Sequence, residues 1–157
     1  MKQIGIGIAG LVFGVVLALL IVNSMAPKMM LIESESPYDF NTTVERFEKS
    51  VAQANWKIPA VHDLQATMDK FGHDVRAVKV FELCHPDHAA KILKEDEERI
   101  VSSMMPCRVA IYERADGKVY FSRMNSKLMA GMMGGIIDEV MAEAYEENEA
   151  IIKNSMK

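Results

Sequence analysis

From residue 4 to residue 22 the chain carries no charged side chain, and every residue there except Phe13 is Gly, Ala, Val, Leu or Ile. Wound as a helix at about 1.5 Å per residue, such a run is roughly 28 Å long, close to the hydrocarbon thickness of a bilayer. A core helix of a globular domain alternates with a polar face, which this run lacks. It therefore predicts a single transmembrane anchor over 4–22, preceded by a cytoplasmic start at 1–3 and followed by a linker at 23–30. A cleaved signal peptide has a shorter apolar stretch and small residues before the cut. Ser24 and Ala26 stand at that spacing, but Pro27 would follow the cut, so a retained anchor is the better reading. Lys2 and the amino terminus face only Lys28 across the run. The positive-inside tendency then places the body on the periplasmic or extracytoplasmic side of the inner membrane. Gly10, Gly14 and Ala18 form a small-residue stripe that lets helices approach closely.

The remaining residues, about 135, suffice for one compact domain and not for two. The whole chain has 18 basic and 22 acidic residues and a formal net charge of −4. That is the wrong sign for binding nucleic acid through its phosphates. From Asp138 to Glu149 every charged residue is acidic, which reads as a solvated helix face. Two cysteines allow at most one bridge. The 13 methionines read as adaptable core filling.

Periodicity and turn chemistry predict the order β-α-β-α-β-α-β-β-α. A first strand is expected over 29–34. Thr42-x-x-Glu45 reads as a capping box, with Val44, Phe47, Val51 and Ala54 following at helical spacing. Residues 56–62 read as a strand that Pro59 assigns to an edge or a bulge. A short helix over 64–71 ends at Gly72. Residues 78–84 form the next strand, and Pro86 opens a helix at its first position, where a missing N–H costs nothing. Strands at 107–112 and 118–124 join through Asp116-Gly117, a strong hairpin signal. Cys107, Val109 and Ile111 share a face of the first. The last thirty residues are expected as one long helix with Met129, Met133, Ile137, Val140, Met141 and Ala144 on one side. The fold class is α+β: a mostly antiparallel sheet with helices packed on one face.

No phosphate loop, nucleophile elbow, zinc-protease helix or Cys-x-x-Cys motif occurs, and no nucleophile–base–orienter set is visible. An enzyme is therefore not expected. One cluster carries chemistry. Cys84 ends one strand and Cys107 begins another, and antiparallel neighbours would bring the two thiols together. His85 and His88 open the following helix, and Met104 and Met105 precede Cys107. Three readings stay open: the two cysteines are small buried hydrophobes, they form a disulfide, or the group is a metal site. For a metal, thiolate and thioether ligands point first to copper(I), and thiolate with imidazole suits zinc; haem is the further cofactor candidate. Arg108 follows Cys107, but strand alternation sends its side chain to the opposite face, away from the thiol.

The runs 43–51 and 56–64, Val80-Phe-Glu-Leu-Cys84 with Pro86, Met105 through Glu113, and the Gly-Met start of the last helix resemble, in order, the family catalogued as domain of unknown function 302. The resemblance covers roughly residues 30–145 and implies a small, often self-associating α+β domain at 31–146, with no established activity. Cys84 and Pro106-Cys107-Arg108 are the family's recognisable marks. Residues 147–157 would then be an acidic helix end and tail added to it. The functional expectation is an exported accessory or binding module at the membrane, a homo-oligomer or a subunit of a larger membrane assembly, to which Gly131-x-x-x-Gly135 could contribute a helix contact. The alternative is a thiol-redox or metal-handling protein using Cys84 and Cys107.

Overall fold

A computed structural model describes residues 13–20, 22–24 and 29–157. Residues 13–20 and 22–24 are helical and exposed. Among the described residues no helix is long and apolar enough to cross a membrane. The anchor expected over 4–22 is thus not supported here, because residues 4–12 and 21 lie outside the described set, as do 1–3 and 25–28 of the flanking segments.

The body is an antiparallel five-stranded sheet in the order β1-β5-β4-β3-β2. Its strands are β1 (Leu31–Ser36), β2 (Val61–Asp63), β3 (Val78–Leu83), β4 (Cys107–Glu113) and β5 (Val119–Met124). The helices are α1 (Phe40–Gln53), α2 (Leu64–Asp69), α3 (Pro86–Leu93), a 3-10 turn (Glu98–Met104), α4 (Ser126–Gly131) and α5 (Gly135–Ser155). The α+β class and the antiparallel sheet agree with the sequence, and α1 and α5 pack on the face carrying Phe81, Leu83, Val109, Ile111 and Phe121. The other face carries the polar layer of Glu33, Glu35, Tyr112, Tyr120 and Arg114. There Arg114 bonds both carboxylate oxygens of Glu33, at 2.6 and 2.7 Å, and stacks over Tyr120.

Local chemistry places the elements with three corrections. The cap of α1 is Asp39, whose carboxylate accepts from the Thr42 amide at 3.0 Å. Thr42 thereby becomes the third helical residue rather than the cap, because the acceptor three positions earlier already satisfies that amide. The segment after Trp56 is not one strand: Lys57 pairs singly with Cys84, and only Val61–Asp63 joins the edge of β3. Pro59 between them cannot donate to a ladder.

The third correction is the long final helix. It is broken into α4 and α5, because Gly134 has φ 73 and ψ −167 and Gly135 has φ 58. The Gly134 conformation is one that only glycine reaches without strain, and Gly135 lies in the left-handed region that favours glycine. Met133 consequently lies half exposed, while Ile137, Val140, Met141 and Ala144 are buried as the periodicity predicts. Gly131 and Gly135 fall on different helices, so they form no common helix face. In the N-terminal stripe Gly10 lies outside the described residues. Residues 147–155 continue α5, as the expected helix end does, and Ile151 and Ile152 enter the main core beside Phe47, Trp56 and Phe121.

A second cluster, Ile92, Val101, Ala130, Ile137, Val140 and Met141, packs α3, the 3-10 turn, α4 and the start of α5 together. The candidate site lies at the seam between the two clusters.

Candidate functional site

Pairing of β3 with β4 sets Leu83 opposite Cys107. Cys84 follows Leu83, so the two thiols sit diagonally across the ends of neighbouring strands, and both are free. The Lys57–Cys84 bridge, with reciprocal amide bonds of 2.9 Å, brings Trp56 beside them. His85 occupies the N-cap position of α3, yet its side chain caps nothing. It turns instead into an aromatic group, 5.5 Å from the Trp56 ring and 4.5 Å from His88.

These side chains border a cavity of about 360 Å³ whose walls include Cys84, His85, His88, Met105, Cys107 and Trp56, closed by Ile92 of α3 and by Val140, Met141 and Ala144 of α5. Five of the six sequence candidates are therefore brought together. Met104 is not: it ends the 3-10 turn and lines a separate cleft with Cys107, Arg123 and Asn148. Arg108 points to the opposite face, as strand alternation predicts, and reaches Glu82 at 3.4 Å.

The walls are mainly apolar, and the polar atoms among them are poorly satisfied. Nδ1 of His85 and both ring nitrogens of His88 are buried without a hydrogen-bond partner among the described residues. His88 is only 8% exposed. Its Nε2 lies 3.2 Å from a Glu147 oxygen and its Nδ1 3.5 Å from a Glu143 oxygen, close enough for charge to be felt but out of line for hydrogen bonding. Buried polar groups are nearly always paired, and leaving one unpaired costs on the order of 1–3 kcal/mol. Burial pushes the Cys107 thiol above its ordinary pKa, the neighbouring Cys84 adds to this, and the Asn148 amide opposes it. Cys107 in the ligand-free protein is thus a protonated thiol, and a metal must displace its proton to gain the thiolate.

Glu143 and Glu147 lie beside the candidate site, against His88, and sequence reasoning did not single them out. Both lie on α5, one turn apart, and read as part of a solvated acidic face. Trp56 Nε1 donates to Glu147 at 2.7 Å, and Lys91 Nζ to Glu143 at 3.1 Å. The spacing marks them as neighbours on one helix face, but nothing local indicates that α3 would present His88 to them.

Fold and site together define a small α+β sandwich with a mainly apolar cavity at the ends of β3 and β4. The pattern described as domain of unknown function DUF302 matches residues 32–155, and the chain belongs to that family. The match runs to the end of α5, so the C-terminal acidic turns are part of the family body. Among solved structures the chain is similar to the crystal structure of an uncharacterized conserved DUF302 protein from Bacillus stearothermophilus. The TM-score is 0.71 at 22% identity over 80% of this chain and 98% of that one, a likeness of fold. No curated protein matches.

Proposed function

We propose that the protein is a binding or accessory module whose site is the cavity at the ends of β3 and β4, and that this site takes up a metal ion, copper(I) before zinc, with haem as the further cofactor candidate. The observation that carries the reading is the buried, unpartnered Nδ1 of His85, bordering the same cavity as two free thiols and the Met105 thioether. Thiolate, thioether and imidazole are the donors that copper(I) prefers, and an ion held among them would satisfy groups that the protein leaves unpaired.

On this reading residues 4–22 anchor the module in the inner membrane. The body faces the periplasmic or extracytoplasmic side, where the module meets a second copy or a larger membrane assembly. The test is anaerobic titration of the full-length chain with copper(I) against a competing chelator, with thiols counted before and after. One copper per chain, weakened at least tenfold in Cys84→Ser and in Cys107→Ser, is expected. Two titratable thiols with no copper uptake, in a chain whose unfolding is unchanged, would overturn the proposal. Zinc or haem retained in place of copper would identify the other two cofactor candidates.

A further inference from the structure

We infer that His88, Glu143 and Glu147 form a second cation site, suited to zinc, on the solvent side of the cavity and independent of the two thiols. One ligand atom from each of the three residues can be chosen so that all lie within 4.8 Å of one another. Donors around a zinc ion at metal–ligand distances of about 2.0–2.2 Å stand roughly 3–4 Å apart, so a small inward movement of two carboxylates closes the site. His88 comes from the first turns of α3, while Glu143 and Glu147 project from successive turns of α5. The two helices pack against each other, so the donors converge from separate rigid elements.

A second observation points to a ligand. His88 is more than nine-tenths buried, and neither ring nitrogen has a hydrogen-bond partner, although each lies within 3.5 Å of one of these carboxylates. A cation between them would use the imidazole lone pair that hydrogen bonding leaves idle. Trp56 Nε1, at 2.7 Å from Glu147, holds that carboxylate in place, as outer-shell donors do around metal ligands. The carboxylate side chains are 50% and 41% exposed, which gives an ion an entry path and leaves room for a water ligand. Three protein donors of this kind match an open zinc site, whereas the two oxygens make it a poor host for copper(I).

Lys91 supplies the distinguishing prediction. Its ammonium lies 3.1 Å from the Glu143 oxygen that the ion would need. The pair is about half exposed on both sides, and such pairs are held weakly. Lys91 is thus a competitor for the site, and removing it should tighten cation binding.

The experiment is calorimetric titration of the full-length chain with zinc, after chelator treatment, beside Glu143→Gln, Glu147→Gln, Lys91→Met and Cys84→Ser. One zinc per chain is expected, with each Glu→Gln change weakening it about 10–100-fold, Lys91→Met strengthening it several-fold, and Cys84→Ser leaving it unchanged. The carboxylates are surface groups, so these variants fold, and thermal unfolding of each verifies it. No zinc uptake, or uptake lost in Cys84→Ser and kept in Glu147→Gln, would overturn the inference. Copper(I) binding kept in both Glu→Gln variants separates this site from the thiol site, so either can fail alone.

Discussion

Replacing His88 by leucine should make the metal-free protein more stable, although His88 is buried at the junction of α3, α5 and Trp56. The imidazole is 8% exposed, and both of its nitrogens lack hydrogen-bond partners. Leucine has a similar volume and no polar atoms, so it fills the same space in the first turn of α3 without a group to leave unpaired. Relieving one buried, unpaired polar side chain is worth about 1–3 kcal/mol. Against this stands the attraction of the imidazole to Glu143 and Glu147 when it is protonated. Those carboxylates are 50% and 41% exposed, so water screens them and the loss is held to about 0–1 kcal/mol. The net gain then spans about 0–3 kcal/mol and centres on about 1–2 kcal/mol. At roughly 4 °C per kcal/mol for a domain of this size, the melting temperature should rise by about 4–8 °C. The assay is urea unfolding in the presence of a chelator, with the midpoint rising at unchanged slope. His88→Gln keeps buried polar atoms and should not share the gain. A fall in stability for His88→Leu would refute the reasoning, because it would show that His88 is kept as an ion-pair partner rather than as an idle ligand.

Ile152 lies in the main core at 1% exposure, so Ile152→Ala should cost about 2–4 kcal/mol in denaturant unfolding; a loss below 1 kcal/mol would mean that the end of α5 is dispensable. Burial raises the Cys107 pKa above its ordinary 9.0, so the folded state favours the protonated thiol. That contribution is complete below the unfolded thiol's pKa and is lost as pH rises through the higher folded value. Stability should therefore decline above about pH 9, and Cys107→Ala should flatten that decline in a pH series of unfolding midpoints; an equal decline in both proteins would count against it.

Features that depend on a few consecutive residues were legible in the sequence. Asp116-Gly117 turns β4 into β5, and Pro86 opens α3, because backbone geometry at these positions is set by local sterics. The thiol pair was legible at one remove: strand ends could be marked, and antiparallel pairing then brings Cys84 near Cys107. The break at Gly134 was missed because the apolar spacing of Met129, Met133 and Ile137 fits an unbroken helix. Periodicity reports side-chain polarity and is blind to a positive φ.

Sequence alone determined the α+β class, the antiparallel hairpin, the net acidic charge and the cysteine–histidine segment that borders the cavity. These follow from composition, from period and from the chemistry of adjacent residues. Tertiary structure decided that Met104 leaves the group, that Ile151 and Ile152 belong to the core, and that Glu143 and Glu147 meet His88 across two helices. The reason is distance along the chain. Residues 55 and 59 positions apart are brought within 3.5 Å only by the packing of α3 on α5, and that packing is the joint result of every buried side chain between them.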